Sequence, residues 1–178
     1  MKFLVIIAGL FFGHAFAEPV KGPVIDEYGA VYYVPDQTFR LPPGRRLKAV
    51  FDIAAAPEAA GERNYRFETV ARHLNLHVRA GLPADQLDTV IVLHGRAARS
   101  ALGRDAFEER YGELHPDMDL LEQLTNAGVR IIVCGQSATA YGFRPDEIAP
   151  GVEMWLSALT SLIVLQGEGY ALIPWGTS

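Results

Sequence analysis

The chain contains a single cysteine, and it stands in Val133-Cys134-Gly135-Gln136-Ser137, where an apolar run gives way to small and polar residues. Such a boundary marks a strand that ends as a helix begins. Free N–H groups at a helix start, here those of Gln136, Ser137 and Ala138, favour the thiolate, the form that attacks sulfur and disulfides. The chemistry open to Cys134 is therefore to accept a sulfur atom, hold it as a persulfide and pass it to another thiol. The competing reading is structural, because free cysteine is among the most buried residue types.

Five histidines add few alternatives. His94, in Leu93-His94-Gly95, can orient a ligand or stabilise a nearby thiolate, or it can simply fill a strand end. His73 and His77 have i, i+4 spacing, but no carboxylate or cysteine at matching spacing completes a metal site, so a solvated helix face is expected. His115-Pro116-Asp117 reads as the turn before a helix, and His14 falls in the leader described below. Cys134, His94 and either Asp52 or Asp88 can be drawn as a cysteine hydrolase, though no oxyanion hole is identifiable. There is no P-loop, no Gly-x-Gly-x-x-Gly after a strand and no Gly-x-Ser-x-Gly elbow. Nothing in these motifs asks for a cofactor or a metal.

The elements that must position these residues alternate along the chain. Residues 48–53 and 87–93 read as strands, the second so continuously apolar that both its faces should be covered. Between them Asn64 can cap a helix carrying Phe67, Val70, Ala71, Leu74 and Val78 at helical spacing, closed by Gly81. Helical material is expected from about 97 to 110 and from 119 to 127, with Gly128 as its stop, followed by a third strand over 129–134. A short helix starts near Gln136 and yields to Gly142 and Pro145. Strands at 152–156 and 170–173 enclose a helix at 158–166, with Pro174 halting the last strand. Periodicity cannot divide the nearly all-apolar run 152–165.

Five strands separated by helices need crossover connections, hence a mainly parallel five-stranded sheet with helices on both faces, a three-layer α/β/α fold. Strand order is not readable. In such sheets, sites form beyond the carboxyl ends of the strands. That rule selects His94, Cys134, Ser157 and Trp175.

The first 17 residues read as a leader. Lys2 is followed by the apolar run 3–12 and by Ala15-Phe16-Ala17, a small-x-small cleavage signal. The expectation is export to the periplasm by a cleavable signal peptide, with no membrane segment afterwards. Residues 18–46 form an arm rich in Pro and Gly, whose 30–34 segment is read as a short edge strand or a stretch packed across the body. Residues 47–178 form one domain. Cleavage removes one positive charge from a chain of formal net charge −5, and Arg45-Arg46-Leu47-Lys48 is the longest basic cluster left, so a nucleic-acid partner is excluded. Export with one cysteine leaves no intrachain disulfide partner. Cys134 is then sealed, paired between chains, or kept as a working thiol.

Ile131-Ile132-Val133-Cys134-Gly135-Gln136-Ser137-Ala138, Pro150-Gly151-Val152, Leu156-Ser157-Ala158-Leu159-Thr160 and the ending 165–175 resemble the DsrE/DsrF-like family, and its exported members most. Val50-Phe51-Asp52 and Val92-Leu93-His94-Gly95 add to the likeness, which runs from about Lys48 to Trp175. The resemblance implies the α/β/α fold just described and a homo-oligomer, a trimer or hexamer. It also implies a persulfide-carrying role for Cys134, with Gly135, Gln136 and Ser137 lining the site, His94 matching a family position, and a protein sulfur donor or acceptor as partner. His115-Pro116-Asp117 departs from the Asn-Pro-Asn-like stretch the family suggests, and export departs from the cytoplasmic relay members. Two functions follow as expectations: a sulfur-handling carrier, or a non-catalytic ligand-binding or assembly module in which Cys134 is structural. Cys/His hydrolysis is a third and weaker one.

Overall fold

A computed structural model describes residues 18–42 and 44–174; the leader 1–17 and Trp175 lie outside the described residues. Five strands form one sheet: β1 (Leu47–Ile53), β2 (Leu87–Leu93), β3 (Arg130–Cys134), β4 (Val152–Trp155) and β5 (Ala171–Pro174). All are parallel, in the order β4-β3-β2-β1-β5. The helices are α1 (Arg66–Arg79), α2 (Arg104–Tyr111), α3 (Met118–Asn126), α4 (Gly135–Ala140) and α5 (Ala158–Gly167).

The handedness of crossovers explains where the helices lie. From β1 to β4 the chain steps one strand at a time in a single direction, so right-handed connections place α1 to α4 on one face. The return from β4 to β5 runs the other way, across the whole sheet, and the same rule puts α5 on the opposite face. The two cores agree. Phe67, Val70 and Leu74 of α1, Phe107 of α2, Leu120 and Leu124 of α3 and Ala138 of α4 pack with Phe51, Ile53, Ile91, Leu93 and Ile131. Ala158 and Leu165 of α5 pack with Val50, Val90, Val92, Ile132 and Cys134. One helix thus covers a face that four cover on the other side. Leu165, fully buried at the centre of the smaller core, is the side chain on which that layer rests; truncating such a leucine to alanine costs about 2–5 kcal/mol.

Several expectations shift in detail. The helical material of 97–110 divides into a 3-10 segment, Gly95–Ala101, and α2, with Gly103 between them. Pro174 closes the β5 ladder opposite Asp52 instead of stopping it earlier, which an edge strand tolerates because one side of its backbone needs no partner. Asn64 is not the cap of α1. Tyr65 holds that position without a side-chain bond, while Asn64 Oδ1 accepts from the Arg66 amide at 3.3 Å and Nδ2 donates to the Ala55 carbonyl at 2.9 Å.

The arm packs across the body, and Val20 and Val31 form only an isolated antiparallel bridge. It is held by Asn75, a fully buried residue on α1. Its Oδ1 accepts from the amides of Val24 and Ile25, and its Nδ2 donates to the carbonyls of Ile25, Tyr28 and Gly29. A buried amide needs partners, and here the arm supplies all of them. Arg72 and Arg79 add bonds to the carbonyls of Ala30 and Gly22.

Candidate functional site

Where the helices of two neighbouring strands leave on opposite faces, a crevice opens at the carboxyl edge. Here those strands are β3, followed by α4 on the crowded face, and β4, followed by α5 on the other. Cys134 ends β3 in register with Trp155 at the end of β4, so its sulfur lies in that crevice.

The first residues of both helices turn on Sγ. Cys134 is the N-cap of α4, and its sulfur accepts from the Ser137 amide at 3.4 Å. The Ser137 hydroxyl and the amides of Gln136 and of Ala158, the first residue of α5, are also placed around it so as to favour the thiolate. Burial pushes the thiol up, and is the largest single influence; the donors from Ser137, Ala158 and Gln136 together outweigh it and hold the thiol below its ordinary value. The cover over the sulfur is close, with Cys134 only 4 % exposed. Ser157 caps α5, its Oγ accepting from the Thr160 amide at 3.0 Å, which fixes the turn that presents the Ala158 amide.

Two glycines make this close approach possible. A Cβ on Gly135 would lie 2.8 Å from the Trp155 carbonyl oxygen and 3.3 Å from that of Leu156. Only a residue with no side chain lets the start of α4 sit against the end of β4. Gly95 has φ +51°, and a Cβ there would meet the Ala54 carbonyl oxygen at 3.0 Å. Its amide donates to Ser137 Oγ at 3.0 Å, so Ser137 bridges the β2 loop and the sulfur.

The expected site residues therefore come together in part. Gly135 and Ser137 adjoin the sulfur, and Gln136 contributes its amide while its side chain is exposed. His94 lies at the same edge, bonded through Nε2 to Asp52 Oδ1 at 2.7 Å, with both side chains about a third exposed. Asp88 is at the far end of β2, paired with Arg46 at 2.6 Å, so of the two aspartates considered only Asp52 accompanies His94. Asp52 escapes the strand-end rule because it is one residue short of the end of β1. Ala158 was unforeseeable, since it acts through its amide. His73 and His77 stay outside the site. Burial, and then the neighbouring His77, holds His73 down to about 4, and the described residues hold no cluster of three or more His, Cys, Asp or Glu fit for a metal.

A second polar group braces the edge. Arg99 donates to the carbonyls of Pro57 at 2.7 Å and Ala59 at 2.9 Å, tying down the β1–α1 loop. Asp117 accepts from the Asn64 amide at 3.0 Å, and His115 Nε2 lies 3.3 Å from the Ser100 carbonyl. The His115-Pro116-Asp117 turn is thus a buried brace, with burial lifting Asp117 to about 6 and lowering His115 to about 4.

A family model described as the DsrE/DsrF-like family matches residues 48–175. Among solved structures, a protein of unknown function from Methanobacterium thermoautotrophicum superposes with a TM-score of 0.50 at 24% identity, covering 72% of this chain and 99% of that one. The ychN protein of E. coli superposes with a TM-score of 0.53 at 19% identity, over 72% and 99% of the two chains. At these identities the likeness speaks for the fold alone. No curated protein matches.

Proposed function

We infer a sulfur-carrying role from one premise: this chain belongs to the DsrE/DsrF-like family. That family is generally associated with sulfur relay. The observation that carries the reading to Cys134 is the set of donors converging on its sulfur from two helix starts. A thiolate is the nucleophile for a sulfane sulfur, and a persulfide formed on Cys134 would carry its negative charge on the outer sulfur at the same edge. The carrier cycle is two exchanges. The Cys134 thiolate takes the outer sulfur of a donor, releasing the donor's thiolate or sulfite, and an acceptor thiol then takes that sulfur from the Cys134 persulfide. A donor or acceptor protein fits this cycle as partner.

Intact-mass analysis of the pure protein after mixing with polysulfide, under anaerobic conditions, tests the reading. The expected result is a gain of one sulfur that is absent in Cys134→Ser. A protein that gains none, or a gain that survives the substitution, refutes it. We place the carrier in the periplasm on the strength of the leader in residues 1–17; in a bacterial host, mature protein starting at Glu18 is expected in the periplasmic fraction.

A second reading, an assembly module, draws on α5. Leu159 and Ile163 of α5 are 76% and 70% exposed and lie one helical turn apart, and Leu156 just ahead of the helix is 70% exposed. A helix that is apolar all round is normally covered. A homo-oligomer assembled on this face is compatible with the carrier reading. Only if Cys134 reacts with a bulky thiol reagent solely after unfolding does assembly replace it.

A further inference from the structure

We propose that Asp52 and His94 are the proton-handling pair of the Cys134 site, an inference that rests on the carrier reading above. The argument begins with the pleat. Val50, Val92 and Ile132 all face the α5-side core, and side chains two residues apart along a strand share a face. Asp52, His94 and Cys134 each follow one of these by two, so three adjacent strands direct them to the same side of the sheet at the same edge. The alternation persists to His94, whose amide continues the ladder to the Ile53 carbonyl at 3.1 Å with an extended backbone, φ −147° and ψ −178°. The β2–β3 register pairs Leu93 with Val133. Carried one residue on, it sets His94 opposite Cys134 at a strand spacing of about 4.8 Å.

The bond to Asp52 assigns the imidazole its roles. A carboxylate only accepts, so the proton between Asp52 Oδ1 and His94 Nε2 belongs to the imidazole. Nδ1 is left as the nitrogen able to take and return a proton. A second tie runs from the Gly95 amide to Ser137 Oγ and on to the sulfur, so the loop carrying His94 is fixed to the residue that holds Sγ. Partly exposed polar pairs stabilise a fold little, which gives this one little purpose as a brace.

The proton step closes the chemistry. With a hydropersulfide donor, Cys134–SH and R–S–SH give Cys134–S–SH and R–SH. The Cys134 Sγ–H bond breaks as Nδ1 takes the proton, and Sγ attacks the outer sulfur. The donor S–S bond breaks with its electron pair on the inner sulfur, and Nδ1 returns the proton to that departing thiolate. The Sγ electron pair forms the new S–S bond as the old S–S pair departs on the inner sulfur, so the exchange is redox-neutral overall and no outside oxidant enters. Around the pair, α4 and α5 carry no titratable side chain. The 3-10 segment carries Arg96, which leans to Glu58 at 3.8 Å, and Arg99, which is turned onto the loop carbonyls. On β4, Glu153 is engaged by Arg130 and Trp155. Among the described residues, and beyond Cys134 itself, Asp52 and His94 are the titratable groups placed to face the sulfur.

The test is single-turnover loading of the full chain with cysteine hydropersulfide, followed by quenched intact mass across the near-neutral pH range, for wild type, His94→Gln and Asp52→Asn. Both variants should reach the wild-type mass, with His94→Gln loading about 10²-fold more slowly near neutrality, in the range of general acid–base effects, and with an altered pH profile. Asp52→Asn should fall between them. A structural role alone would move the unfolding midpoint and leave the pH profile in place. Loading of both variants at the wild-type rate and profile overturns the proposal while leaving the carrier reading intact. If wild type takes no sulfur, the carrier reading fails instead, and alkylation of Cys134 by iodoacetamide judges the pair: an unchanged pH profile in His94→Gln overturns it.

Discussion

Replacing Ser137 by alanine removes one donor from the sulfur and leaves the backbone of α4 unaltered. The hydroxyl is the foremost of the groups that lower the Cys134 thiol, ahead of the amides of Ser137, Ala158 and Gln136. A hydrogen bond to an ionised group contributes about 1.5–3 kcal/mol. Sulfur is a diffuse acceptor and Ser137 is half-buried, so the lower end applies, about 1.5 kcal/mol or about 10-fold in the ionisation equilibrium, and the thiol is raised. The consequence has two signs. Below both pKa values the variant holds about 10-fold less thiolate, but a more basic thiolate is more nucleophilic, with a Brønsted coefficient of about 0.4–0.5. The net alkylation rate should fall about 3-fold. Above both, where each protein is fully ionised, the variant should react about 3-fold faster. Iodoacetamide rates measured against pH, with thiolate absorbance read in parallel, should therefore give two curves that cross. Superimposed curves would show that the hydroxyl does not act on the sulfur. Curves displaced by one factor at every pH would mean that the substitution changes access, and the ionisation argument would fail. Stability should drop by only about 0.5–1.5 kcal/mol, since water can reach the Gly95 amide that loses its acceptor.

Other consequences can be checked independently. Gly135→Ala must push the end of β4 away, because the new methyl would stand 2.8 Å from the Trp155 carbonyl oxygen; overpacking of this kind costs about 1–3 kcal/mol, and a denaturation midpoint and thiol titration equal to wild type would refute the close-approach argument. Leu159→Glu with Ile163→Glu should give a lower mass by sedimentation than wild type with thermal stability retained, and an unchanged mass would remove α5 from the assembly surface. Glu147 is held down to about 2, chiefly by the Arg110 side chain and then by the Arg144 amide. Its folded-state pKa lies below its ordinary value of 4.5, so its stabilisation is complete above that value and is lost as pH falls through about 2. Urea titrations should show wild type losing stability with acid more steeply than Glu147→Gln, and parallel slopes would contradict the Arg110–Glu147 pair.

The strands were readable because a parallel sheet buries both faces. The run 87–93 is apolar nearly throughout, and β2 has those bounds. Val152 to Leu165 was harder, since β4 and α5 are both apolar and the division falls on Ser157, which caps α5 with its own hydroxyl. Two polar residues have roles that the sequence hides, for a common reason. Asn75 sits on the buried face of α1 and looks like an interruption of it until the arm is known to supply its partners. Asn64 reads as a cap and instead joins the β1–α1 loop to Asp117. Asp52, one of two aspartates that the sequence sets beside His94 as candidates, is the one that reaches it from the next strand. In each case the partner lies 9 to 53 residues away, beyond what local periodicity encodes. The Cys134 motif shows the reverse case: of the local amides expected at its sulfur those of Gln136 and Ser137 act there and that of Ala138 does not, while the Ala158 amide comes from across the crevice.

That crevice and the exposed helix have a single topological origin. Had the chain added another strand beyond β4, the next helix would have joined α1 to α4 on the crowded face, and one helix start alone would have reached the sulfur. By turning back to β5, the chain sends α5 over the opposite face by itself, and two sets of amides then meet at Sγ. The same step leaves α5 with no neighbouring helix to cover Leu159 and Ile163. The two features are mechanically joined, because Ala158, which donates to the sulfur, is one residue from Leu159 on the outer face. A displacement that lifts the start of α5 withdraws an amide from Sγ and raises the thiol, whereas cover over its outer face holds that amide in place. Ionisation of Cys134 should therefore depend on what α5 rests against, a dependence that a cysteine set on one helix start would lack.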